Sequence, residues 1–273
     1  MKKHLSTILL ILVFLTGLSL LLYPTVSDYW NSLHQSRAIA GYTEQVATLD
    51  NDRYEAIWSA ARKYNAALAQ MVNRYALSEV DLADYEAQLD VSGSGVMGYV
   101  EIPSIGVSLP IYHGTDEAVL QIAVGHIPGS SLPVGGSGTH CVVSGHRGLP
   151  SARLFTDIDK LVVGDQFYLH VLDEMLTYEV DQILIVEPDD VSALEIEAGK
   201  DLCTLVTCTP YGINTHRLLV RGHRTENPEQ ERTIRVSADA IQVEPLVVAP
   251  LVAVPILLCL LVLLLVRTRR KKR

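Results

Sequence analysis

The sequence predicts a mainly β protein: a closed or nearly closed barrel, preceded by a helical arm and flanked by two apolar segments. Three observations carry this. Beyond Val96, seven or eight short β-type runs follow one another over about 130 residues, divided by Pro and Gly, with little helical pattern between them. Residues 27–89 instead repeat their apolar positions every three or four residues. Residues 5–22 and 246–266 are almost wholly apolar.

Taken in order, residues 1–26 hold a cytoplasmic tip and the first apolar segment. It follows Lys2 and Lys3 and runs to Tyr23-Pro24 without a small-residue cleavage site, so it reads as an uncleaved anchor rather than a cleaved signal peptide. Residues 27–95 form the arm. Ile39, Tyr42, Val46 and Leu49 mark one helix, and Tyr54, Ile57, Trp58, Ala61, Tyr64, Leu68 and Met71 mark another. Asn51 or Asp52 is the expected N-cap of the second. Residues 76–89 are sparsely apolar and end at Ser92-Gly93-Ser94-Gly95, which reads as a connector with a flexible joint, or as a movable flap.

The barrel is expected over residues 96–225, in the runs GYVEIP, VSLPIYHG, THCVVSGH, DQFYLHV, LTYEVDQILIVEP, CTLVTC and RLLVRGHR, with short helices at 120–123 and 154–161. A linker (226–245), a transmembrane helix (246–266) and a basic tail (267–273, RTRRKKR) complete the chain. Roughly 20 apolar residues span a bilayer, so the second segment is long enough. Basic residues at both ends place both termini in the cytoplasm and the intervening region outside. All 31 acidic residues fall between the two segments, which argues against nucleic acid as a partner.

The chain has four cysteines, and Cys259 lies in the second apolar segment. Cys141, Cys203 and Cys208 are too few for a disulfide scaffold, contain no C-x-x-C pair for zinc, and leave at least one thiol free. The run 202–207 delivers Cys208 into a turn built from Pro210, Gly212 and Asn214, and a return run begins at Arg217. That hairpin sets a thiol beside a guanidinium. A cysteine attacks only as thiolate and needs exposure and a nearby base or cation; a fixed arginine can hold the oxygen that becomes negative when a carbonyl is attacked. Cys203, an odd number of positions earlier, faces the other side of the strand as a small buried residue.

Nine histidines compete for the role of base. His146 is delivered by a β run into Gly145 and Gly148, much as Cys208 is delivered, and His140, His126 and His216 stand beside it as alternatives. Arg221 and Arg224 are alternatives to Arg217. Cys141 precedes His146 by the same five positions that separate Cys203 from Cys208. If the two strands lie side by side and parallel, Cys141 and Cys203 become neighbours, as two buried thiols or as a disulfide. The acidic run 187–190 reads as a solvated loop rather than a calcium site.

TLVTCTPYGINTHRLLVRG, together with THCVVSGHRGLPSARLFTDIDKLVVGD upstream, resembles the class C, pilus-assembling sortases of Gram-positive bacteria. MGYVEIPSIGVSLPIYHGT and VGHIPGSSLPVGG match the same family, and the resemblance covers residues 64–224. It implies a sortase-type eight-stranded β-barrel with N-terminal helices, a lid over the active site and two flanking transmembrane helices. By position in the motifs it assigns the nucleophile to Cys208, the general acid and base to His146, and oxyanion stabilisation to Arg217.

The implied reaction cleaves an LPxTG-like sorting signal of a pilin subunit through a thioester. The acyl group then passes to a pilin lysine or, alternatively, to a cell-wall precursor amine that anchors a surface protein. No cofactor or metal is implied. A membrane-tethered binding barrel without catalysis is the reading from another class. The sequence departs from the family at one place: no Asp-Pro-aromatic triplet lies between Asn65 and Val96, and Ser78-Glu79-Val80 stands near its position. Tyr75 and Leu77 are the residues available to fill the groove instead.

Overall fold

The computed structural model describes residues 2–227; the second apolar segment, the basic tail and nearly all of the linker lie outside the described residues. Helix α1 runs without a break from Lys2 to Ala47, so the first apolar segment and the first helix of the arm are one element, with Pro24 inside it. Its apolar part is long enough to cross a membrane, with a mean hydropathy of 2.3 over its richest stretch and none of that stretch buried. The residues from Trp30 onward form a compact unit of their own.

Helix α2 (Asn51–Leu68) is capped by Asp50, whose carboxylate accepts the Arg53 amide at 2.7 Å. The cap therefore falls one residue before the expected Asn51 or Asp52. Trp58, Ala61, Asn65 and Leu68 are its buried face, at the 3- and 4-residue spacing of one side of a helix. Buried Asn65 is fully used: its side chain donates to the Leu132 carbonyl at 3.1 Å and accepts the Leu132 amide at 2.7 Å. Two such bonds offset the cost of burying an amide and fix α2 to the loop before β4.

Residues 76–89 are more ordered than their composition suggests. They contain helix α3 (Glu79–Ala87), opened by a reciprocal cap in which Ser78 and Asp81 bond each other's backbone amides. Tyrosines tie the arm to the barrel. The Tyr42 hydroxyl of α1 donates to the Met97 carbonyl at 3.0 Å and accepts the Leu172 amide at 2.7 Å. Tyr85 of α3 accepts the Gly114 amide at 3.0 Å and sits 3.0 Å from His126 Nδ1.

Eight strands close into a barrel: β1 (Val96–Ile102), β2 (Val107–His113), β3 (Val124–His126), β4 (Thr139–Ser144), β5 (Gln166–Val171), β6 (Glu174–Val186), β7 (Asp201–Thr209) and β8 (His216–Arg224). Their order around the wall is β1-β2-β3-β4-β7-β8-β6-β5, with β5 pairing back to β1. Most neighbours are antiparallel, while β2–β3 and β4–β7 are parallel. The seven runs read from the sequence match seven strands. The eighth, β3, is only three residues long and lies within VGHIPG.

Of the two short helices expected, the first begins three residues earlier than read and the second is shorter, lying inside the expected 154–161. One is α4 (Glu117–Leu120), and 158–160 is a single 3-10 turn. The interior is filled by alternate residues of the strands, among them Val100, Ile111, Val143, Phe167, Leu169, Leu205 and Val220, all fully buried. Each such side chain contributes about 1.5–3 kcal/mol on burial.

Candidate active site

The wall formed by β4, β7 and β8 has two unlike faces. Cys141, Val143, Cys203, Leu205, Leu218 and Val220 point into the core. Val142, Val206 and Leu219 point outward and pack with Leu194 in a separate small cluster. Cys208 lies two residues beyond Val206, and Arg217 two before Leu219, so both belong to the outward series.

The two are direct partners in the β7–β8 ladder. The parallel β4–β7 pairing ends at Ser144 and Val206, and two further bonds carry it on: the Gly145 amide to the Val206 carbonyl at 3.0 Å, and Thr207 Oγ1 to the Gly145 carbonyl at 2.8 Å. Two steps past Ser144 and Val206, in the same register, stand His146 and Cys208. Adjacent strands are about 4.8 Å apart, so Cys208 and Arg217 are neighbours on one rim of the wall, and His146 follows the last bonded residue of the adjoining β4 edge.

Each is held by its surroundings. The His146 carbonyl accepts the Phe155 amide at 3.1 Å. Gly145, just before it, has no room for a side chain, because a Cβ there would lie 2.7 Å from the Phe155 ring and 2.8 Å from Val124. After Cys208 the chain turns through Pro210, whose carbonyl accepts the amides of Ile213 and Asn214 at 3.1 and 3.0 Å. Arg217 Nη1 donates to the Asn214 and His216 carbonyls at 3.4 and 3.2 Å, which aims the guanidinium along the turn. Among the described residues no carboxylate pairs with Arg217, and the His146 ring has no hydrogen-bond partner. Cys208 is a free, half-exposed thiol.

The competing candidates are occupied. Arg221 makes two bonds to Asp181, at 2.9 and 3.0 Å, and one to Glu197 at 3.3 Å. Arg224 bonds the carbonyls of Thr177 and Thr225. His140 is buried between the Glu195 carbonyl and Thr204 Oγ1, at 2.8 and 2.7 Å, and burial pulls its pKa down. His126 is buried against Tyr85 and the Ser131 carbonyl. His216 faces Glu187 at 3.2 Å.

Cys141 and Cys203 are partners in the parallel ladder, both buried and both free, with no disulfide between them. Burial and the adjacent Cys141 sulfur push the Cys203 thiol well above its ordinary value, so it stays neutral.

The segment between α2 and α3 lies on the outward cluster. Arg74 is buried, donating to Glu195 and to the Leu194 carbonyl, each at 2.8 Å. Its guanidinium sits 4.8 Å from the Tyr75 ring centre. Tyr75 packs against the cluster of Val142, Leu194, Val206 and Leu219, the strip of wall that leads to Cys208. The sequence offered Tyr75 as one of two residues to fill the groove, but it gave no signal for Arg74, whose partners lie about 120 positions away.

A family model described as "Sortase domain" matches residues 100–225. Sortase D of Bacillus subtilis is 32% identical over 150 residues, covering 54% of this chain and 73% of that protein. Sortase A of Bacillus anthracis is 26% identical over 221 residues, covering 81% and 95%. Among solved structures, sortase C1 from Streptococcus agalactiae is 52% identical with a TM-score of 0.68, covering 70% of this chain and all of that one. Sortase C of Streptococcus pneumoniae is 45% identical with a TM-score of 0.62, covering 70% and 97%.

Proposed function

The chain belongs to the sortase family, on its class C side, and from that premise we propose how its cysteine transpeptidase barrel works. The observation that carries the proposal is the ladder pair Cys208–Arg217, with the β4 edge beside it bonded as far as Gly145, the residue before His146. The thiolate of Cys208 attacks the threonine carbonyl carbon of an LPxTG-like sorting signal on a pilin subunit. As the carbonyl oxygen takes up negative charge, Arg217 donates to it. His146 then delivers a proton to the departing glycine amine, the C–N bond breaks and a thioester remains on Cys208.

In the second half a lysine amine of another subunit loses a proton to His146 and attacks the thioester. An isopeptide bond forms, and the thiolate leaves as it was. The thioester retains the energy of the peptide bond that was cut, so the chemistry itself requires no nucleotide.

Pilin as substrate is supported by the likeness to sortase C of Streptococcus pneumoniae, a structure described as giving insight into pilin substrate specificity. The apolar part of α1 anchors the chain to a membrane. Lys2, Lys3 and the basic tail support two spans, cytoplasmic termini and an outward barrel over residues 96–225, with 27–95 as its arm. The experiment is incubation of the protein with purified pilin alone. A covalent ladder, absent with Cys208→Ala, supports polymerisation. Acyl transfer only to added cell-wall precursor amine assigns the anchoring reaction instead, and no thioester trapped by hydroxylamine removes the assignment altogether.

A further inference from the structure

The turn after Cys208 carries Tyr211, an aromatic residue left 60% exposed. So much exposure gives it little to contribute by burial, yet its ring is seated with care. It lies against the backbone of Gly148, where a Cβ would come within 2.8 Å of Tyr211 Cε2 and 3.0 Å of Cζ. Gly148 is also left-handed, with φ +75°, so the position excludes a side chain on two counts.

The ring also meets Arg147, whose guanidinium is 5.7 Å from the ring centre and is itself paired with Asp159. The Gly148 amide donates to Thr156 Oγ1 at 3.2 Å, which fixes the loop from behind. Arg147 and Gly148 immediately follow His146. Tyr211 therefore touches the His146 loop from within the turn that links Cys208 to Arg217, and that turn's Asn214 carbonyl accepts from Arg217.

We infer that Tyr211 is a positioning residue, a pin that sets the imidazole of His146 against the sulfur of Cys208; this rests on the transpeptidase reading above. Strand pairing alone does not fix that spacing, because the ladder ends before His146. Displacement of a reacting group by about 1 Å can cost on the order of 100-fold in rate.

The test compares Tyr211→Ala, Tyr211→Phe, Arg147→Ala and the Arg147→Ala/Tyr211→Ala double variant. For a sorting-signal peptide, Tyr211→Ala lowers kcat by about 10- to 100-fold with KM within about twofold. Tyr211→Phe, which keeps the ring, recovers most of the loss. The double variant is no worse than Tyr211→Ala, as expected when two groups act as one unit.

Alkylation of Cys208 by iodoacetamide across pH gives a readout that needs no substrate. The Tyr211→Ala profile moves toward that of His146→Ala. Unchanged kcat, a change in KM alone, failure of phenylalanine to restore turnover, or an alkylation profile identical to the parent each overturns the inference. Should the parent protein itself not turn over the peptide, the transpeptidase reading fails, while the alkylation profiles still decide whether Tyr211 places the imidazole. Arg147→Ala, which removes the cation from the ring and leaves the aromatic in place, carries the same comparison if Tyr211→Ala loses stability.

Discussion

Two cysteines on one strand show how a barrel wall assigns chemistry. Cys203 and Cys208 are five residues apart on β7, and the odd interval sends them to opposite faces. The inner one meets Cys141 in a dry core that keeps it neutral, and it acts as a small packing residue. The outer one stands at the rim, half-exposed, opposite a guanidinium without a carboxylate partner among the described residues. Residue type decides little here; parity and distance from the strand end decide whether a thiol packs or reacts.

The largest test of that contrast is a pair of alanine variants. Cys208→Ala should abolish transpeptidation while leaving the melting temperature close to the parent's, since substitutions outside the core usually cost under about 0.5 kcal/mol. Cys203→Ala should keep turnover and lose on the order of 1 kcal/mol of stability, as expected for a small void in the core. The contrast is lost if Cys203→Ala is the inactive variant.

Arg217→Ala comes next. Removing a donor aimed at a developing oxyanion costs about 10²–10³-fold in kcat. Lysine at 217 should recover only part, because it lacks the planar fork of donors. Stopped-flow acylation with a sorting-signal peptide reads both.

Arg74→Ala sharpens the picture on the outward face. It frees Tyr75 from the strip of wall beside Cys208. The lost pair involves an exposed Glu195 and is worth at most about 1 kcal/mol, so acylation should rise by no more than about fivefold. A fall in acylation would mean that Arg74 supports the site rather than covers it.

The smallest expected effect is on acid stability. His140 is buried on the same outward face of the wall, two residues before Val142, with its pKa held below the ordinary 6.5 by burial. Its contribution is therefore present above 6.5 and is lost as pH falls through the lower folded-state value. Melting temperatures at about pH 7.5 and about pH 5.5 should differ more in the parent than in His140→Gln.

Much of this was legible in the sequence for local reasons. Seven strands announced themselves as β-branched runs between Pro and Gly, and the thiol–guanidinium pairing followed from a hairpin whose turn residues are explicit. The matched spacing of Cys141 and His146 with Cys203 and Cys208 made the two inner cysteines neighbours on condition that their strands were parallel and adjacent, and they are.

What stayed hidden depends on distant partners. β3 has three residues and no alternation to read. α3 owes its order to the Ser78–Asp81 cap and to Tyr85 reaching the barrel. From pattern alone His146 was one of four histidines; the structure leaves it apart because the others are engaged elsewhere. Arg74 and Tyr211 acquire meaning only from what they touch across the fold.

The wall that carries the site is assembled from pieces made far apart in time. β4 must wait some 60 residues for β7, and β1 some 70 for β5, before the cylinder can shut. Non-local pairings of this kind are slow to form. A chain caught half-made therefore has its imidazole but neither the sulfur of Cys208 nor a finished wall. Competence to cut a substrate arrives only with closure, which spares the unfinished molecule from joining itself to the wrong protein.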